Sequence, residues 1–173
     1  MRDAGKAGWV RRKGNAMGKS LKVAAIIFLV LTGAGSVRAM DEEESEVTGT
    51  IDVMMQTMIA FAEKADVDQT FTDLSPDKKA VFFINDKVYD RKSLLEAFRE
   101  TFGKLRSQKI QLKAPKVFLL GPDAAVWVAH GKGITQDKEG VSRTEALTET
   151  WVWKRDQGKW KVIHYHESAV PVA

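Results

Sequence analysis

Two histidines, His164 and His166, alternate near the C-terminal end of the chain. Alternate residues of an extended strand project from one face, so these rings share a side. Histidine titrates near neutrality, and either ring could act as a general acid or base in a pocket. An H-x-H step also supplies two metal ligands, with His130 or a carboxylate such as Glu149 as a third. The plain alternative is a hydrogen-bonded structural pair near a sheet end. Trp127, Trp151 and Trp153 share one parity on segments that read as adjacent strands. They fill a core, or they line an apolar pocket where an indole N–H is the polar handle. Tyr89 and Phe82 would join them from the helical half. The candidate ligand pocket is therefore Trp151, Trp153, Trp127, Tyr89, Phe82, His164 and His166. His164 and His166 are the candidate catalytic groups, and no metal site is assigned.

Other patterns carry less chemistry. Asp66-x-Asp68 reads as a solvated loop after a helix end. Gly131-x-Gly133 lies mid-strand and not ahead of a helix, so it lacks the geometry that cradles phosphate. Its glycines suit strand curvature instead. Ser168 beside His166 has no third orienting group and makes no triad. No cofactor is implied. With no cysteine, disulfides, thiolate metal sites and a cysteine nucleophile are excluded together.

The elements that must position these residues follow from periodicity. Val47, Ile51, Met54, Met58, Phe61 and Ala65 recur at three- and four-residue steps, predicting a helix over 44–65. The segment 66–77 is polar, anchored by Phe71 and Leu74 and closed by Ser75-Pro76-Asp77. Residues 80–84 read as a short buried strand, followed by Val88-Tyr89. A second helix carries Leu94, Leu95, Phe98, Phe102 and Leu105, with Asp90 as its cap. From Ser107 the period becomes two. Strands are expected over 109–120, bent, bulged or at an edge because of Pro115, then over 124–135, 141–155 and 159–168. The fold class is α+β, with helices on one face of a curved antiparallel sheet. Val126, Val128 and Ile134 make the second face of one strand apolar as well, opposite Trp127 and Ala129. Two apolar faces predict that a second copy covers the outer one, giving a homodimer or higher homo-oligomer.

The chain's net charge of +4 is unevenly distributed. Residues 1–39 hold eight Lys/Arg and Asp3 alone, whereas 40–173 hold 19 Lys/Arg and 22 Asp/Glu. A mildly acidic folded part has no phosphate-attracting patch, which excludes nucleic acid as a partner. The basic front precedes the apolar run 23–31 and ends at Val37-Arg38-Ala39, the pattern of a cleavable signal peptide. Met1 or Met17 is its start. Residues 40–173 are then the mature domain, periplasmic or secreted and free of the membrane after cleavage; an uncleaved anchor is the alternative.

The closing strands carry a family resemblance. Arg143-Thr144, Glu149-Thr150, Val152-Trp153, Gly158-Lys159-Trp160 and His164-Tyr165-His166-x-Ser168 resemble the end of a SnoaL-like, nuclear transport factor 2-like domain. Within that superfamily the chain is most similar to the association (hub) domain of calcium/calmodulin-dependent protein kinase. The resemblance implies a cone-shaped sheet wrapped round N-terminal helices, a pocket at its open end and assembly through the sheet. Where that branch carries arginines for small carboxylates, this chain reads Gly131 and Trp151, so a carboxylate ligand does not carry over. The expected function is an exported oligomeric domain that binds a small, largely apolar ligand or serves as an assembly module. The alternative is an isomerase or dehydratase using a pocket histidine as general base.

Overall fold

The computed structural model describes residues 33–172, with side chains from Glu42 onward. Most of the expected leader, residues 1–32, lies outside the described residues. The element order is α1 (Gly33–Ala62), α2 (Val67–Thr70), β1 (Val81–Ile84), β2 (Lys87–Tyr89), α3 (Arg91–Lys104), β3 (Leu105–Gly121), β4 (Ala124–Asp137), β5 (Ser142–Asp156) and β6 (Lys159–Pro171).

Helix α1 starts earlier than its apolar stripe, since no proline interrupts the residues ahead of that stripe. It ends three residues before the predicted boundary. Ala65 adopts a left-handed φ of 56°, and the Asp66 and Ala65 amides donate to Phe61 and Ala62 carbonyls at 3.1 and 2.8 Å. That is a Schellman ending, which satisfies carbonyls the helix would otherwise leave open. The deepest stripe is Val47, Ile51, Met55, Met58 and Ala62. Met55 and Ala62 thus replace the predicted Met54 and Phe61, a small rotation of the buried face.

Asp66 caps the short α2, accepting from the Gln69 amide at 3.1 Å. Asp90 caps α3 within a reciprocal box: it accepts from the Ser93 amide at 2.8 Å while Ser93 Oγ accepts from the Asp90 amide at 3.1 Å. Leu105, predicted as helical, is instead the extended first residue of β3, so helix passes into strand without a loop.

The six strands run in the order β2-β1-β6-β5-β4-β3. The sheet is curved and unclosed. Its pairings are antiparallel except one: β1 lies parallel to β6, with Val81 opposite His164 and Phe82 opposite Tyr165. An all-antiparallel sheet was the expectation, and the return of the chain from α3 through the β3–β6 meander is what brings β6 beside β1 in the same direction. Strand β3 is an edge, and its pairing slips between Lys113 and Lys116, where Ala114 takes a φ of 43° ahead of Pro115. The proline therefore sits in a bulge, where its missing N–H breaks no ladder bond. At Gly131 strands β3 and β4 approach so closely that a Cβ would lie 2.1 Å from the Gln111 carbonyl oxygen. Another slip falls in β6, where Val152 opposes His164 but Trp153 opposes Val162, leaving Ile163 as the extra residue.

The core lies between α1, α3 and the inner sheet face. Ile51, Met55, Leu94, Phe82, Trp127, Trp153 and Val162 are its most enclosed members. Gln108 Nε2 donates to the Ala62 carbonyl, and Glu63 accepts from the Ile110 amide at 2.9 Å, tying the end of α1 to the edge strand. On the outer face Val126 and Val128 are half-buried and Ile134 is exposed.

Candidate functional site

Alternation along β5 sends Glu145, Leu147, Glu149 and Trp151 to the inner face. Across β6, Trp151 opposes Tyr165 and Glu149 opposes Glu167. The Trp151 and Tyr165 rings stack with centroids 3.8 Å apart. Trp151 Nε1 donates to Glu149 at 2.9 Å, and the Tyr165 hydroxyl donates to Glu167. Each aromatic thus holds the carboxylate two residues along its own strand, and the two aromatic–acid units lie side by side.

This quartet lines a cavity of about 300 Å³. Its walls are Met58, Ile59 and Ala62 from α1, Phe71, then Phe98, Thr101 and Phe102 from α3, with Leu105, Ile110 and Leu147 from the sheet. Gly133 also lines it; a Cβ there would press on Leu147 at 3.2 Å. Aromatic packing stiffens the helical wall, Phe98 lying 4.5 Å from Phe71 and 5.5 Å from Phe102. The cavity volume is at the lower end of what small-molecule sites use.

Its electrostatics are unusual for so apolar a chamber. Glu149 is 5% exposed, and burial pushes its carboxyl up to about 7. The facing Glu167 charge adds to that rise, and the Trp151 hydrogen bond opposes it. Burial likewise raises Glu167, with the Tyr165 hydroxyl opposing and Glu145 adding. Tyr165 is driven well above the ordinary phenol value, first by burial and then by the charges of Glu167 and Glu149. Two carboxyl groups occupy opposed positions on neighbouring strands, an arrangement that disfavours ionising both at once. Such a site can accept a proton or a cation, and it can hold the polar end of an otherwise apolar molecule.

Among the residues predicted from sequence, Trp151 lines this cavity. Trp127, Trp153 and Phe82 are enclosed in the core and not on the cavity wall. Trp127 Nε1 donates to Asp52 at 3.2 Å, whereas Trp153 Nε1 is buried without a partner. Tyr89 is half-buried opposite Phe82 on the β1–β2 hairpin, away from the cavity lining. His164 and His166 point to the other side of the sheet, flanking the Phe83 ring at 5.6 and 6.1 Å, and His164 Nδ1 meets the Val81 carbonyl at 2.8 Å. The bulge at Ile163 is the reason. Trp160 and Val162 face inward, and one extra residue turns the inward positions from 164 and 166 to Tyr165 and Glu167. The inward, cavity-lining positions expected of the histidines are therefore taken by Tyr165 and Glu167. His130 is exposed, and neighbouring residues along β4 face opposite sides, so it and Glu149, which opposes Ala129, are on opposite sides of the sheet. Among the described residues, no cluster of three His, Asp or Glu side chains is placed to hold a metal ion. Sequence reasoning missed Glu149 and Glu167 as a pair; the available signal was a glutamate two residues from an aromatic on each of two neighbouring strands.

A mixed α+β unit with a curved, unclosed sheet packed on its N-terminal helix has the nuclear transport factor 2-like, cystatin-like architecture. A nuclear transport factor 2 (NTF2-like) superfamily protein of Salmonella enterica superposes with a TM-score of 0.63 at 18% identity, over 76% of this chain and 93% of that one. A candidate calcium/calmodulin dependent protein kinase II association domain from Xanthomonas campestris gives 0.61 at 22% identity, over 72% and 88%. At these identities the likeness is one of fold. Residues 43–171 match the family profile of the calcium/calmodulin dependent protein kinase II association domain, and the chain belongs to that family. It is 30% identical over 142 residues to the calcium/calmodulin-dependent protein kinase type II of Caenorhabditis briggsae, covering 79% of this chain but 26% of that kinase. The chain thus spans about a quarter of its curated relative.

Proposed function

We propose that this chain works, after export, as a self-assembling association-domain module whose cavity takes one small, largely apolar molecule. The ligand reading rests on the cavity itself, walled largely by apolar side chains from α1 and α3 and carrying the Trp151–Glu149 and Tyr165–Glu167 pairs in its lining, with Glu149 buried and Glu167 half-buried. Specific small-molecule sites combine apolar walls with few, well-placed polar groups in this way. Native mass spectrometry of the purified protein tests it. The expected spectrum contains a species heavier than the polypeptide by the mass of one organic molecule, lost on unfolding. A protein that carries nothing and is not stabilised by any member of a library of small apolar compounds would refute the reading.

Self-assembly is supported by the family and by the outer sheet face. Val126, Val128 and Val152 are half-buried there, and Phe118 and Leu120 on the edge strand are 50% and 65% exposed. A twofold arrangement covers such a face with its own copy. Light scattering at rising protein concentration decides it, because a persistent monomer contradicts the assembly. Periplasmic or secreted placement rests on the basic, apolar and small-residue succession of residues 1–39. Fractionation of cells expressing a C-terminally tagged chain, with the mass of the exported product, tests that step.

A second reading, an isomerase or dehydratase, draws on Glu149 rather than a histidine. A carboxyl near 7 in an apolar chamber is matched to taking a proton from a bound molecule. The identity of a copurified ligand would decide between the two, since this reading requires an acidic C–H within reach of Glu149.

A further inference from the structure

The cavity's charges differ in exposure and in partners. At the mouth, Arg143 pairs with Asp137 at 3.5 Å and Lys109 with Glu63 at 3.3 Å, both cations being more than half exposed. Glu145, Glu149 and Glu167 also line the wall, Glu149 buried and the other two half-buried. Among the described residues no lysine or arginine forms an ion pair with any of the three. The residues that α1 and α3 contribute to the lining carry no charge. Glu149 is the decisive member, because it is nine-tenths buried, lines the cavity and receives a single indole hydrogen bond. A carboxylate has two oxygens and about four acceptor positions, so most of its capacity is unused. Buried carboxylates ordinarily occur with a cationic partner. Here none of the described residues does so: the two cations of the lining, Lys109 and Arg143, are paired with Glu63 and Asp137 instead.

We infer that the cavity is selective for a primary or secondary organic amine, bound as its ammonium ion with the N–H groups on Glu149 and Glu167 and the apolar body between Phe98, Phe102 and Met58. This rests on the ligand-binding reading above and adds to it the chemical class of the ligand. An ammonium offers two or three donors to the two carboxylates, which no neutral alcohol matches. A carboxylate ligand would place a third like charge beside two that already repel. Amine binding also favours the ionised form of Glu149, so it displaces the proton that burial retains there.

Phenethylamine, 2-phenylethanol and phenylacetate share a ring and chain length and differ in the charge of the polar end, and calorimetric titration of each into the purified protein at pH 8 tests the assignment. Phenethylamine is expected to bind about ten- to a hundredfold more tightly than 2-phenylethanol, the range of hydrogen bonds to charged groups. Glu149→Gln is expected to bring the amine down to the alcohol's affinity. At pH 7 the observed heat should change with the ionisation enthalpy of the buffer, reporting proton release on amine binding. That measurement needs no variant, and Glu167→Gln gives a second loss should Glu149→Gln fold poorly. Equal affinities for amine and alcohol overturn the amine assignment and leave the cavity reading standing. Tighter binding of phenylacetate overturns it with the opposite polarity. If none of the three binds, the amine assignment is overturned, and the cavity reading is decided by the native mass spectrometry and compound library described above.

Discussion

Replacing Glu149 by glutamine should make the protein more stable at alkaline pH and leave it little changed in acid. The folded protein holds the Glu149 proton up to about pH 7, whereas an ordinary glutamate releases it near 4.5. Below pH 4.5 both states are protonated and the carboxyl costs nothing extra. As pH rises from 4.5 to 7 the unfolded chain ionises first, so stability falls through that window and levels off above it. At 1.36 kcal/mol per tenfold change, the plateau corresponds to about 3 kcal/mol, against less than about 1 kcal/mol at pH 5. Glutamine keeps an acceptor for the Trp151 indole and removes the ionisation, and Glu149 is buried enough that solvent screening relieves little of the cost. Urea unfolding followed by tryptophan fluorescence at pH 5 and pH 8 reads the difference. Protein concentration must be held fixed, because the proposed assembly would add stability by mass action. A variant less stable than the parent at pH 8, or a difference equal at both pH values, would refute the reasoning. The predicted gain is the mark of a group retained for binding at the expense of the fold.

Three further outcomes follow from the geometry. His164→Ala and His166→Ala should leave cavity occupancy unchanged in native mass spectra, with His164→Ala alone losing about 1 kcal/mol of stability with its hydrogen bond to Val81. Gly131→Ala should destabilise by about 1–3 kcal/mol or more, because the new methyl meets rigid backbone of β3 and not a flexible side chain; thermal unfolding reads it. Asp90→Ala removes the box at the start of α3 and should cost about 1 kcal/mol in a denaturant titration.

Much of the architecture was legible in the chain because local rules govern it. Asp90 ahead of an apolar-periodic run marked the start of α3, and Pro115 marked a bulged edge strand. Phe71 and Leu74 anchor the polar segment as expected. The site was less legible, because its facing depends on one residue. Straight alternation from Trp160 and Val162 would carry His164 and His166 inward, and the bulge at Ile163 reverses every position after it. Nothing local in Val162-Ile163-His164 signals the insertion, since bulges are set by how neighbouring strands fit. The parallel contact of β1 with β6 was invisible for a related reason: it joins residues 83 apart, and pairing at that range leaves no mark in a window of sequence.

That same distant pairing dictates an order of events for a chain made from its N-terminus. The β1–β2 hairpin has a single neighbour in the sheet, and that neighbour is the sixth of the six described strands in chain order. Two short strands alone are marginal in water. Phe82, fully enclosed in the finished fold, therefore has no berth until β6 arrives, while the long strands β3, β4 and β5 can zip successively as each emerges. Closing so wide a loop is slow relative to hairpin formation. Newborn chains should thus pass through a stage with the meander set and the hairpin adrift, the interval in which a holdase would find its grip.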